Sequence, residues 1–242
     1  MEKVNWHEFW SGYRKGEVKN EHDLFVEVGK TVAKEPISQA AFDLSIDLVR
    51  RDLELNGSDR LLELCCGNGL MTLRLAPLAR EIRAVDFAQH LIDNARKLRN
   101  AANVQYVCAE AAGYISELAA NETFVPSKIL LSDALGYFEP DALASVLASA
   151  SKLTTHKFIF AATGIPCDDL KWNFYNTPER VRRYEENQRL ASNSNDGIGR
   201  WWRREELERL ARDQDLNLAI KDQPTELSNF RVDAIFRSRT SP

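Results

Sequence analysis

Short apolar runs alternate with amphipathic stretches along most of the chain. Arg60–Leu64, Ile82–Val85, Val104–Val107, Lys128–Ser132 and Lys157–Ala162 are apolar runs of strand length. Between them, Leu70–Ala79, Gln89–Asn100, a short stretch within 111–126, and Asp141–Leu153 place apolar residues at helical spacing, as with Leu143, Val146, Leu147 and Ala150. This alternation predicts a parallel sheet covered by helices on both faces, with ligands at the carboxyl ends of the strands. Before it, Trp6, Phe9, Trp10 and Tyr13 recur on one face of a predicted helix. The spacing predicts a second helix over Glu21–Val32, interrupted before Pro36. A third starts at Ser38, carries Phe42, Ile46, Val49 and Leu53, and stops near Asn56-Gly57. The aromatic stripe is expected to pack on the core, and it also suits a cover over the cavity mouth.

After Gly164 the pattern changes. Residues 167–199 are polar and aromatic, with a predicted helix from Pro178 to Leu190 behind the N-cap Thr177, then a loop over 192–197. A helix over Arg204–Arg212 and two strands, Leu216–Lys221 and Phe230–Arg237, close the chain as an antiparallel hairpin. The organisation expected is a helical cap over 1–56 and an α/β domain over 57–242 with a cover insertion at 165–213.

The chemistry concentrates in Asp59–Gly69, which reads Asp-Arg-Leu-Leu-Glu-Leu-Cys-Cys-Gly-Asn-Gly. Gly67 and Gly69 permit a tight turn and close approach of backbone to a ligand, and the following helix turns its N-terminal amides toward it. Asp86 ends the next strand, where a carboxylate can accept hydrogen bonds from both hydroxyls of a ribose. A nicotinamide-binding unit would carry Gly-x-Gly-x-x-Gly, but Thr72 stands at the third position and Glu63 sits inside the strand.

The acid-x-x-x-Gly-x-Gly pattern of Glu63, Gly67 and Gly69, followed by Asp86, resembles class I S-adenosylmethionine (SAM)-dependent methyltransferases. The resemblance covers roughly 57–163, with the hairpin fitting at 215–238. It implies a Rossmann-like, doubly wound, seven-stranded, mostly parallel sheet with an antiparallel C-terminal hairpin. It implies SAM as cofactor, with the glycine turn beside the methionine part, Glu63 orienting its ammonium and Asp86 holding the ribose. Phe87 would pack on the adenine and Glu110 would contact the adenine amino group. Cys65 and Ser132 are placed with the cofactor residues. The flanks Val28–Thr31 and Trp172–Arg180 resemble methyltransferases of bacterial surface-polysaccharide biosynthesis. The expected acceptor is a small polar molecule, a sugar-like or other small metabolite methylated at oxygen.

A hydroxyl acceptor needs its proton removed. Asp133, after the fourth strand, is the first candidate base, with His7 and His22 as further candidates from the covering segments. Tyr137 could hydrogen-bond the acceptor. His90 and His156 receive no role. Transfer to nitrogen of a protein or nucleic acid is the alternative, although Ser132-Asp133-Ala134-Leu135 stands where amino-methylating enzymes carry Asn-Pro-Pro-Tyr or Asp-Pro-Pro-Tyr. A SAM-binding module without turnover is another.

Composition narrows the picture further. At 242 residues, 44% hydrophobic and 28% charged, the chain suits a soluble globule. A net charge of -4 disfavours a dedicated nucleic-acid binder. No apolar run reaches membrane-spanning length and no signal-peptide core opens the chain, so a cytoplasmic location is expected. Cys65, Cys66, Cys108 and Cys167 have no zinc spacing, so no metal is expected. Arg180, Arg182, Arg183, Arg200, Arg203 and Arg204 could bind phosphate, but glutamates interleave with them and a solvated charge-mixed surface is expected instead.

Overall fold

The computed structural model describes residues 5–13, 18, 20–32, 34–121, 124–153, 157–189 and 197–239. His156, Leu190 and residues 192–196 of the loop expected over 192–197 lie outside the described residues. Helices α1 (Trp6–Gly12) and α2 (Glu21–Glu27) come first, then a two-stranded ribbon of β1 (Thr31–Val32) and β2 (Glu35–Pro36), then α3 (Gln39–Asp52). Asn5, Asn20 and Ser38 cap the three helices by accepting from the backbone amides of Glu8, Asp23 and Ala41. The helix expected to reach Val32 ends five residues early. Gly29 turns left-handed there (φ 66°), and Thr31-Val32, both β-branched, pair as a strand.

The main sheet uses β3 (Arg60–Leu64), β4 (Glu81–Asp86), β5 (Val104–Cys108), β6 (Lys128–Ser132), β7 (Ile159–Pro166), β8 (Leu216–Asp222) and β9 (Arg231–Ser238). Their order is β5-β4-β3-β6-β7-β9-β8, parallel except for β9, which runs antiparallel to both its neighbours. This is the seven-stranded sheet with a C-terminal hairpin that the sequence predicted. The connecting helices are α4 (Leu70–Leu75), α5 (Gln89–Leu98), α6 (Ala111–Asn121) and α7 (Pro140–Leu153). Beyond β7 come α8 (Lys171–Phe174), α9 (Pro178–Arg189) and α10 (Arg204–Asp213). The predicted helix 70–79 divides, because Pro77 takes its last turn into a 3-10 geometry over Ala76–Leu78.

Alternation along each strand sends side chains to two cores. Leu62, Leu64, Ile129, Leu131 and Phe160 meet α6, α7 and α10. Leu61, Ile82, Ala84, Leu130 and Ala161 meet α3, α4 and α5, joined by Leu24 and Phe25 of α2. β7 runs four residues past its predicted end. It crosses Gly164 (φ 70°) at a register shift against β9, and the Asp233 carboxylate accepts the Gly164 amide at 2.8 Å.

The sheet order reverses at β3, whose neighbours β4 and β6 lead the chain in opposite directions. The carboxyl ends of β3, β4, β5 and β6 therefore face one crevice. No helix among the described residues is long and apolar enough to cross a membrane.

Candidate active site

A cavity of about 360 Å³ lies at this crevice. Its floor is the strand ends and its roof is α1. The glycine turn is held from four sides. The Gly67 amide donates to Asp86 Oδ2 at 2.9 Å. Beneath Gly69 sits Tyr106, whose hydroxyl would lie 2.5 Å from a Cβ there, and Gly69 itself has φ 75°. Val28 covers Gly67, with Cγ1 2.8 Å from where a Cβ would stand. Asn68, fully buried between the glycines, donates to Leu24 O at 2.9 Å and Glu27 Oε2 at 2.8 Å.

The expected cofactor residues converge on this cavity. Glu63, Cys65, Gly67, Asp86, Phe87, Glu110 and Ser132 line it, whereas Gly69 is not among the lining residues. Glu63 Oε2 is buried without a hydrogen-bond partner. Burial pushes the Glu63 carboxyl up to about 7, against the pull of the Thr72 hydroxyl and the Lys30 ammonium. Asp86 Oδ1 accepts the Ala88 amide at 2.9 Å. With one amide on each oxygen, the carboxylate keeps lone pairs for two further donors. Burial raises its pKa as well. Glu110 Oε2 accepts the amides of Ala112 and Gly113 at 2.9 and 3.1 Å, capping the first turn of α6. Cys65 lies in the left-handed region (φ 58°), and burial holds its thiol well above the usual range. All four cysteines are free.

The other end of the cavity is aromatic. Trp6 and Trp10 from α1 pack on Tyr137 with ring centroids 4.8 and 5.4 Å apart. His7 stacks on Phe87 at 4.4 Å. The aromatic stripe thus packs on the cavity rim, and no residue of α1 is buried in the core. Tyr137 Oη donates to Gly197 O at 3.2 Å. His22 is exposed, 3.5 Å from Glu35, and does not line the cavity.

Asp133 stands between the two ends and is over-determined. Its backbone is left-handed (φ 55°), and a side chain on Gly164 would collide with its Oδ1. Lys30 Nζ donates to Oδ2 at 2.5 Å and Arg231 Nη1 to Oδ1 at 2.7 Å. Burial would raise its pKa, but the two cations outweigh that and hold the carboxyl below its usual range. Lys30 lines the cavity beside it. Sequence reasoning passed over Lys30 and Arg231, which stand far from Asp133 along the chain.

None of the six arginines considered for phosphate lines the cavity. Arg183, Arg200, Arg203 and Arg204 each pair with an acid. The segment 165–202 contributes no lining residue among those described. Trp172, Phe174, Tyr175, Tyr184 and Trp201 pack on one another and, through Phe174 and Trp201, on Phe230. Among the described residues, no group of three or more His, Cys, Asp or Glu side chains could hold a metal ion.

A seven-stranded sheet of this order, with a buried acid, a glycine turn and a second acid at its switch point, defines a class I methyltransferase fold. Residues 61–157 match the model of the methyltransferase domain family. It is 24% identical over 93 residues to a mouse (Mus musculus) tRNA (uracil-5-)-methyltransferase homolog A, covering 36% of this chain and 15% of that protein. The chain thus spans only a small part of that relative's length. Among solved structures, a cyclopropane synthase from Mycobacterium tuberculosis matches with a TM-score of 0.68 at 12% identity, over 97% of this chain and 98% of that one. Magnesium protoporphyrin IX methyltransferase from Synechocystis PCC 6803, solved with bound SAH, matches with a TM-score of 0.59 at 12% identity and the same coverage.

Proposed function

We propose that this protein transfers the methyl group of SAM to the oxygen of a small, uncharged polar acceptor, sugar-like in having a hydroxyl beside an apolar face. The residues fit the cofactor on two observations: a buried, unpaired Glu63 oxygen faces a cavity that also holds the Asp86 carboxylate and the Phe87 ring. Glu63 would hold the ammonium, Asp86 the ribose hydroxyls, Phe87 the adenine face, and Glu110 the adenine amino group. Bound SAM supplies an activated methyl group, so the protein's work is alignment and exclusion of water.

The observation that carries the acceptor reading is the Lys30–Asp133 pair at the aromatic end. It offers a donor and an acceptor side by side, which matches a hydroxyl, since that group both donates and accepts. A cationic amine would meet the Lys30 ammonium. The stems of Trp6, Trp10 and Tyr137 supply flat apolar walls for the rest of the molecule. Asp133, held at low pKa by two cations, is a poor base in advance of transfer. Its proposed role is to accept the hydroxyl hydrogen bond, orient the oxygen, and take the proton as transfer proceeds. Tyr137 and His7 complete the wall and the roof, close to the acceptor and the adenine respectively.

The test is methyl transfer from labelled SAM to a panel of hydroxyl, amine and nucleic-acid acceptors. Labelled product from small hydroxyl compounds, lost in Asp133→Ala and Lys30→Met, supports the reading. Product only from amines or RNA overturns the oxygen assignment.

A further inference from the structure

A buried acid outside the strand ends lies on α2. Glu27 is 2% exposed, yet no Lys, Arg or His pairs with it among the described residues. Both its oxygens accept from side-chain amides. Oε2 takes Asn68 Nδ2 at 2.8 Å, and Oε1 takes Asn94 Nδ2 of α5 at 2.6 Å. The second proton of Asn68 Nδ2 goes to Leu24 O, also on α2. Asn68 is the middle residue of the Gly-Asn-Gly turn. Its amide is therefore fixed entirely by the N-terminal segment, with nothing from the sheet.

A buried carboxylate served only by amides is costly unless it secures something. Three further contacts say what it secures. One residue on, Val28 seals the outer side of Gly67. At Gly29 the Trp10 ring closes in, 3.3 Å from where a Cβ would stand. Lys30 donates to Asp133 beside it in the cavity lining. Residues 24–30 thus touch the cofactor turn, the roof helix α1 and the acceptor end in one short stretch.

We propose that Glu27 is a positioning residue for the cofactor turn, and that α2 is part of the cofactor site. The carboxylate locks Asn68 and α5 into the arrangement in which the Gly67 amide and Asp86 face the cavity. This rests on the reading of the cavity as the SAM site.

The decisive experiment is a hydrogen-bond swap read by calorimetry with S-adenosylhomocysteine. Glu27→Gln keeps the shape but turns one acceptor into a donor, which faces the Asn94 amide. Asn94→Asp restores an acceptor there. Losing one buried hydrogen bond should weaken binding by about tenfold in Glu27→Gln. Adding Asn94→Asp to it should recover most of that loss. Asn94→Asp alone should weaken binding, because two carboxylates then face each other. A role in stability alone predicts a lower melting temperature in Glu27→Gln with unchanged affinity well below it, and that result overturns the proposal. So does a double variant no better than the single one. Should Glu27→Gln fail to fold, Asn94→Ala, at a half-buried site, carries the test: unchanged affinity there overturns the proposal too. If the wild-type protein binds no S-adenosylhomocysteine at all, the cofactor reading itself falls, which separates the two failures.

Discussion

On the role proposed for Glu63, which must be ionised to hold an ammonium, lowering the pH from 7 to 5.5 should weaken cofactor binding steeply. In the ligand-free protein burial pushes its carboxyl up to about 7, with Asp86 adding to the effect and Thr72 and Lys30 opposing it. The cofactor's α-amino group stays protonated through this window. Half the sites are ionised at pH 7 and about one in eleven at pH 6, so affinity falls about fivefold over that unit and approaches about tenfold per unit below it. Binding should also release close to one proton per site at pH 6. Calorimetry in two buffers of different ionisation enthalpy measures both. Glu63→Gln should bind more weakly at pH 7 and lose the slope. A flat wild-type affinity between pH 7 and 5.5 would refute the reasoning. So would an undiminished slope in Glu63→Gln, which would move the titration to another group.

The same shift has a stability consequence of the opposite sense. A carboxyl raised from 4.5 to about 7 in the folded state contributes stability below its unfolded pKa, and that contribution is lost as pH rises through 7. The upper bound is about 3 kcal/mol, at 1.36 kcal/mol per unit. Asp233, which burial pushes up to about 6, acts in the same direction over a lower window. Asp133, held low, acts in reverse and loses its contribution only on acidification below the usual carboxylate range. Ligand-free protein should therefore melt at a lower temperature at pH 8 than at pH 6, and saturating SAM should shrink the difference.

Asp86→Ala should cost about 1.5–3 kcal/mol of cofactor affinity per lost charged hydrogen bond, read by calorimetry, and should also free the Gly67 and Ala88 amides. Gly67→Val should be worse, since its Cβ would meet Val28 Cγ1 at 2.8 Å on a backbone with φ 57°; both melting temperature and affinity should fall. Asp133→Asn removes the negative partner of Lys30 and Arg231, so methyl transfer should collapse while S-adenosylhomocysteine affinity changes by less than about threefold, roughly 0.7 kcal/mol. Deleting residues 1–20 removes Trp6, His7 and Trp10 from the cavity; transfer should be abolished with cofactor affinity reduced but measurable, and full turnover in a folded truncation would exclude the roof from the mechanism.

The residues expected to hold the cofactor could be picked out of the sequence, and converge on one cavity, because they sit at fixed offsets on consecutive elements. An acid inside a strand, two glycines after it and an acid at the end of the next strand need no knowledge of distant contacts. The sheet was legible for the same reason, since each strand is a continuous apolar run. What failed to show was assembled by folding. Lys30, Asp133 and Arg231 come from three segments that meet only when β9 pairs with β7. Glu27 reads as an ordinary helical acid until Asn68 and Asn94 close on it. Tyr106 lies beneath Gly69 although the strand pattern marks it only as an apolar position. The helix 21–32 was overextended because its apolar spacing continues through Val28, and a single left-handed glycine ends it.

The two flanks, alike in composition, do different work. Both are rich in Trp and Tyr, and both were expected to close over the acceptor. Among the described residues, only the N-terminal flank reaches the cavity. The segment after β7 packs its rings on one another and meets the site indirectly. A side chain on Gly199 would meet Gly136 O and one on Gly136 would meet Ile198 O, the Arg200 amide donates to Gly136 O at 2.6 Å, and Trp202 Nε1 donates to Leu135 O at 2.9 Å. These bonds brace the turn that carries Tyr137, the residue on which Trp6 and Trp10 rest. The second flank therefore sets the position of Tyr137 from behind. Changes in its exposed ring Trp172 should leave the cavity's shape intact, whereas changes at Gly136, Gly199 or Trp202 should move Tyr137 and, through it, the roof.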